Sequence, residues 1–412
     1  MKLLIVGGGI GGLVAALALD RAGLEVHVFE TAREVKPLGV GINLLPHCVR
    51  VLDQLGAMAP LLDIGIQTRE LVYFNRQGQR IWSEPRGLEA GYHWPQISIH
   101  RGELQLALLK IVRQRLGADR VRLGHHLVGF EPRGNSEIVA RFATERNAPP
   151  FLRATADVLI GADGIHSTVR AQLFPAEGPP KWNGGLIWRA VSDSIPFLSG
   201  RSHIMAGGRQ TFVAYPISKP YEDRGRALIN WVARFFVDPG QDFPPEQWNR
   251  RGKLEDFLPR YEDWRFAWLD VPAIIRAAQA VYEFPMVDRD PLARWSFGRV
   301  TLLGDAAHPM YPLGSNGASQ AILDADTLAR ALHDHDDPEK ALIHYEAERR
   351  PKTEQVVANN RRGGPAAVVN MVEERAPDGF SDLASVVTQE ELARISDDYK
   401  RVASFDLATV NG

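Results

Sequence analysis

One stretch constrains this chain more than any other: "KLLIVGGGIGGLVAALALDRAGLEVHVFE", from Lys2 to Glu30. Lys2–Val6 is a short apolar run of the kind that forms a buried strand. Gly7, Gly9 and Gly12 follow at the G-x-G-x-x-G spacing. In that pattern the first glycine permits a tight turn, the second lets backbone approach a pyrophosphate, and the third lets a helix pack on the strand. Leu13–Arg21 has the apolar spacing of a helix whose N-terminus would face phosphates, and Gly23 ends it. Val26–Phe29 reads as a second strand, and Glu30 at its end is placed to accept hydrogen bonds from a ribose. Three glycines at this spacing are a weak signal in a chain that contains 37 of them, but the complete strand–turn–helix–strand–acid unit is a strong one. It predicts a Rossmann-like α/β start. Glu30 favours an unphosphorylated adenosine ribose, hence FAD or NAD before NADP.

The chain has 412 residues, 45% of them hydrophobic, which is enough for a large core and two or more sub-domains. Its 48 basic and 50 acidic residues leave a net charge of −2, so composition offers no footprint for nucleic acid or an acidic membrane surface. A single cysteine, Cys48, excludes an internal disulfide framework and fits a reducing compartment. The histidines lack metal-ligand spacing. In "HDHDD" (His333–Asp337) the proline that follows makes Asp337 a helix cap, and no metal is expected. Lys2 and the uncharged run Leu3–Leu19 imitate a secretory leader, but the run is glycine-rich and Asp20-Arg21 replaces a small-residue cleavage site. No other apolar run could span a bilayer, so the expected location is cytoplasmic.

The rest of the chain does not continue as a dehydrogenase of alternating strands and helices. Leu71–Phe74 and Arg80–Trp82 read as a hairpin around "NRQGQ". A helix follows in "ISIHRGELQLALLKIVRQRL", with Arg101 at its start. A cation there opposes the helix dipole, and an anionic ligand is one reason to place it. "ADVLIGADGIHSTVR" (Ala156–Arg170) repeats the strand–glycine–acid logic around Asp163, which reads equally well as a ligand contact or as a helix cap. "GDAAHPMYPLGSNGASQ" (Gly304–Gln320) is a third such loop, with Asp305 after an apolar strand and a helix beyond it. Three loops of this kind suggest three walls around one extended ligand, and FAD is long enough to need them. His308 beside that acid is expected to be structural rather than a base, and no catalytic residue can be named. Gly184–Ser192, Gln210–Pro216 and Ala227–Arg234 read as strands of a sheet laid over the FAD-binding domain, with Trp188, Arg189 and Tyr215 as substrate candidates.

"GGGIGG" with Glu30, "GADGIHSTVR" and "GDAAHPMYPLGSNGA" together resemble the single-component FAD-dependent aromatic hydroxylases (group A flavin monooxygenases), whose fold is like that of para-hydroxybenzoate hydroxylase. "GLEAGYHWPQISIHRGELQ", "GGLIWRAV", "PMVDRDPL" and "YPLGSNGASQAILDADTLARAL" further resemble the phenazine-ring hydroxylases among them; Pro196–Ala280 does so less clearly. The resemblance implies FAD as bound cofactor and NADH or NADPH as transient cosubstrate, NADH slightly favoured. It implies O2 and an aromatic small molecule, phenazine-type or salicylate-like, hydroxylated through a flavin C4a-hydroperoxide. It also implies that Gly7, Gly9, Gly12 and Glu30 bind the ADP half, that Arg101 reaches the phosphates, and that Asp163 serves FAD and NAD(P)H. Asp305 would lie by the ribityl chain, Gly39, Val40 and Gly41 along the isoalloxazine, and Pro312, Gly314, Asn316 and Gly317 at its pyrimidine end. A flavin oxidase or a non-catalytic flavin-binding protein would carry the same motifs.

The expected architecture is a Rossmann-like FAD-binding domain in two parts, residues 1–180 and 285–362. The first part carries a hairpin insertion at about 65–98; a β-sheet substrate domain occupies 181–284, and a C-terminal helical segment occupies 363–412. The sequence gives no oligomeric state.

Overall fold

The computed structural model describes residues 1–37, 39–237 and 250–412. Its first layer is a five-stranded parallel sheet in the order Val300–Leu302, Val158–Gly161, Lys2–Val6, Glu25–Glu30, Val121–Leu123. Strands buried on both faces need continuous apolar sequence, which Leu3–Val6 and Val158–Ile160 supply at the centre, while Glu25–Glu30 and Val121–Leu123 toward one edge carry charged residues. Val6 pairs with Gly161, and Gly161 with Leu302. The three glycine–acid loops therefore leave the sheet side by side at its carboxyl edge, the usual ligand edge of an open α/β sheet. Distance along the sequence disappears in the topology.

The second layer is an eight-stranded sheet, ordered Arg250–Arg251, Tyr282–Asp288, Lys181–Ser194, Ala227–Phe236, Thr211–Pro216, Ser202–Gly207, Glu70–Phe74, Arg80–Pro85. The hairpin expected as an insertion of the nucleotide-binding part supplies its last two strands. Glu70–Phe74 pairs in parallel with Ser202–Gly207, Glu70 opposite Ser202. Side chains alternate across this sheet. One face packs Trp188, Ala190, Phe212, Ala214 and Trp231 into a core with Phe257 and Tyr261. The other turns Ile187, Arg189, Val213, Tyr215, Val232 and Arg234 toward a cavity.

The long helix Pro338–Arg361 ends just before Gly363, which is left-handed at φ 104°. Beyond it, the helices Ala367–Arg375, Gln389–Val402 and Leu407–Asn411 fold back over the molecule. Val369, Val372 and Leu392 pack on Leu71, Tyr73 and Met205 of the large sheet. Tyr399, Phe405 and Val410 pack on Leu45, Tyr92 and Val356. Among the described residues, no helix is long and apolar enough to cross a membrane.

Candidate functional site

A cleft runs along the carboxyl edge of the parallel sheet. Gly9, Gly41, Arg101, Asp305, Pro312, Asn316 and Gly317 line it, together with Arg189 and Tyr215 from the large sheet. Two helices aim their N-termini into it: Ile10–Arg21 and Asn316–Asp334. Neither has a side-chain cap or an acid in its first turn. Free N–H groups at such ends favour an anion. At Gly9 the direction a side chain would take is open, with no atom within 4 Å. Arg101 opens the helix Arg101–Leu116 and is exposed to the cleft without an ion-pair partner among the described residues. Two uncapped helix ends and an unpaired arginine are the donor set that a dinucleotide pyrophosphate requires, so the residues present fit FAD.

The loops are braced from behind. Gly7 and Gly12 shape the first turn, and Gln105 Nε2 donates to the Gly8 carbonyl at 2.8 Å. Glu30 accepts the Gly8 N–H and the Ala32 N–H, each at 2.7 Å. Each of its oxygens keeps a further lone pair. Gly39 and Val40 form the loop beside Arg101, whose N–H donates to the Val40 carbonyl at 2.9 Å. Gly41 is tied to the large sheet: its N–H donates to Asn230 Oδ1 at 2.6 Å, and its carbonyl accepts from Arg189 Nη2 at 2.9 Å.

Asp163 lies behind the second loop. Its Oδ2 accepts the Thr168 N–H at 2.7 Å, and its Oδ1 accepts from the Ser167 hydroxyl at 2.5 Å. The helix Thr168–Leu173 is thereby capped, and Ala162 and Gly164 reach the cleft instead. Arg170 of the same motif is buried and donates to the carbonyls of Ala306 and Ala307 at 3.0 and 2.8 Å, so the second loop holds the third. Asp305 faces the cleft, where crowding by protein raises its carboxyl pKa while His308 and Arg101 partly offset this. His308 turns away into the core. Its Nε2 bonds Asp324 at 2.6 Å, and Arg349 Nε donates to the same carboxylate at 2.6 Å. Burial opposes the charge of Asp324, but His308 and Arg349 outweigh it and hold the carboxyl at about 2. This cluster anchors the third loop, whose Gly304 N–H also donates to Asp324 at 3.1 Å.

The cleft opens directly into the cavity on the large sheet. Asn43, Arg189, Tyr215, Pro312 and Ser315 line both. The cavity holds about 940 Å³ of atom-free space counted out to its mouth. Its apolar lining includes Leu71, Ile187, Met205, Val213, Val232 and Met286. Arg189 lines both spaces, and burial lowers its pKa. Tyr215 lies against Arg189 and Asn230; burial raises its hydroxyl pKa and Arg189 partly opposes the rise.

Trp188 is a correction. It is 2% exposed, stacks between Phe235 and Phe257, and donates from Nε1 to Glu283 at 3.1 Å on the opposite face of the sheet. Strand periodicity sends neighbours to opposite faces, so Trp188 cannot share the cavity with Arg189. Gly314 packs against the C-terminal segment. A side-chain carbon there would lie 1.5 Å from the Tyr399 hydroxyl of the helix Gln389–Val402. Asn316 is buried and its amide bonds that same hydroxyl. Sequence reasoning missed Tyr399, Phe405, Asn230, Arg86 and His203, all at or against this cavity. Asn230 had a signal: in "ALINWVAR" it is a polar residue in register with Val232 and Arg234. Tyr399 had none.

The FAD binding domain family matches residues 1–360. Phenazine 1,6-dicarboxylic acid hydroxylase of Lysobacter antibioticus is 48% identical over 364 residues, covering 87% of this chain and 89% of that protein. The 3-hydroxybenzoate 6-hydroxylase of Polaromonas naphthalenivorans is 31% identical over 380 residues, covering 88% and 87%. In fold, the chain is similar to a salicylate hydroxylase substrate complex (TM-score 0.73, 23% identity, 100% and 97% covered). It is equally similar to Klebsiella pneumoniae HpxO with FAD and uric acid (TM-score 0.73, 22% identity, 98% and 92% covered). The loops, the donor set of the cleft and these relatives agree: the chain belongs to the FAD-dependent aromatic hydroxylases.

Proposed function

We propose that this hydroxylase acts on a planar polycyclic aromatic acid of phenazine type, with NAD(P)H as reductant and O2 as oxygen donor, in the cytoplasm. The observation that carries the substrate reading is the cavity itself. It continues from the cofactor cleft, is floored by apolar side chains, and has the Arg189 guanidinium at the junction. A flat ring system suits the apolar floor, and an acid group on it suits the arginine. The 48% identical relative, named for phenazine 1,6-dicarboxylic acid, supports the same class. Bound FAD supplies the redox chemistry that turns O2 into an electrophilic oxygen for the ring.

The chain's own residues bind, orient and exclude water. The free N–H groups that open the helix Asn316–Asp334 favour negative charge on the cofactor ring. Arg101 and the Gly9 end of the first helix hold the phosphates. Asp163 and Arg170 fix the loops rather than touch the ligand directly. Tyr215, with its pKa raised, keeps its proton at neutral pH and acts as a hydrogen-bond donor at the junction. The single cysteine, Cys48, is buried, which accords with a reducing compartment.

The test is substrate-stimulated NAD(P)H oxidation by the FAD-loaded protein with phenazine carboxylic acids, salicylate and 3-hydroxybenzoate. The phenazine acids are expected to stimulate most and to give a product heavier by one oxygen. Stimulation that yields only hydrogen peroxide, or a preference for the single-ring acids, overturns the reading.

A further inference from the structure

Four arginines are buried among the described residues: Arg86, Arg170, Arg234 and Arg349. Three have a carboxylate at hand. Arg86 pairs with Glu84, Arg170 with Glu177, and Arg349 with Asp324. Arg234 is 7% exposed and has no ion-pair partner among the described residues. Its Nη2 donates to the Thr211 hydroxyl at 2.7 Å and to the Gly208 carbonyl at 3.4 Å, while its Nε is buried without a partner. A buried cation is costly unless something negative meets it.

Arg234 and Thr211 both line the cavity, and neither lines the cofactor cleft. Arg189 lines both. Strand register sets Arg234 opposite Ile187 and Arg189 opposite Val232. The two arginines therefore share one face, diagonal across neighbouring strands, with one nearer the cofactor and one deeper in the cavity. His203, in the same lining, is held neutral by burial and adds no further positive charge.

We propose that Arg234, supported by Thr211, anchors a second acid group of the substrate, so that the cavity selects an aromatic ring system carrying two carboxylates. One is met by Arg189 at the cofactor end and the other by Arg234. This rests on the reading of the chain as a hydroxylase of a phenazine-type acid.

The experiment titrates the FAD-loaded enzyme with phenazine-1,6-dicarboxylic acid and with phenazine-1-carboxylic acid, following the flavin absorbance. The wild-type protein is expected to bind the diacid about ten- to hundredfold more tightly, the span of one charge-assisted hydrogen bond. Arg234→Gln removes that preference, bringing the ratio of the two affinities to about 1, and Arg234→Lys restores part of it. Flavin content and thermal midpoint report whether each variant is folded, and the wild-type comparison needs no variant. Equal wild-type affinities, or weakening of both acids by the same factor in Arg234→Gln, overturn the assignment. If neither acid perturbs the flavin nor stimulates NAD(P)H oxidation in the wild-type protein, the phenazine reading fails and the second anchor falls with it.

Discussion

At Gly314 the structure shows a contact that the motif alone does not announce. The sequence suggests a glycine that lets backbone approach the flavin. The structure has it at φ 65°, in the left-handed region, with the Tyr399 hydroxyl in the space of a side chain. Gly314→Ala is therefore expected to push Tyr399 off its bond to Asn316. Overpacking of this kind costs roughly 1–3 kcal/mol, with backbone strain in addition. A thermal midpoint equal to wild type, with unchanged flavin content, would contradict that contact. Trp188 and Arg189 teach the same lesson from the other side. Both are conspicuous in "GGLIWRAV", but only period-two alternation, applied residue by residue, separates the core tryptophan from the cavity arginine.

Among the elements, the two uncapped helices distinguish binding from folding. Gly9 and Gly12 are three residues apart and should respond oppositely. A side chain at Gly12 would meet the Gly7 carbonyl at 2.0 Å, whereas one at Gly9 meets nothing within 4 Å. Gly9→Asp is expected to fold, since aspartate is a favoured N-cap, and to lose FAD because its charge opposes the pyrophosphate. Gly12→Asp is expected to fail at folding. Circular dichroism and the flavin-to-protein ratio, measured on both, decide it. A Gly9→Asp protein that retains wild-type flavin would show that this helix end does not hold the phosphates. The strands and helices of the three loops were legible because each is written locally, in runs of a few residues. The pairing of Glu70–Phe74 with Ser202–Gly207 was not, since no local pattern names a partner that far along the chain.

The whole molecule carries a pH dependence that follows from what it buries. His47 and His203 are enclosed, and burial holds both imidazoles at about 3, below the usual 6.5. The unfolded chain takes up these protons below about pH 6.5 while the folded chain refuses them until about 3, so folded stability falls as pH drops through that window. Each site contributes roughly 1.4 kcal/mol per pH unit. Asp324, held at about 2, acts lower: its contribution is present above about pH 4 and is lost toward 2. Denaturant unfolding at pH 6.5 and 5.0 should show the loss, and His203→Gln should reduce the slope. A flat profile over that range would rule the buried neutral imidazoles out.

The architecture also divides the chamber between two stretches of chain with different histories open to them. The matched family domain ends at residue 360, yet Tyr399 and Phe405 form part of the cavity wall. Ribosomal synthesis delivers the cofactor module first and this wall last. The tail meets the cofactor loop chiefly through one phenol, at Gly314 and Asn316, and through the Gln320 amide that donates to the Ala403 carbonyl at 3.2 Å. A graft that keeps those contacts and the apolar residues packed on the large sheet and on Leu45, Tyr92 and Val356 would recut the chamber from the tail side alone.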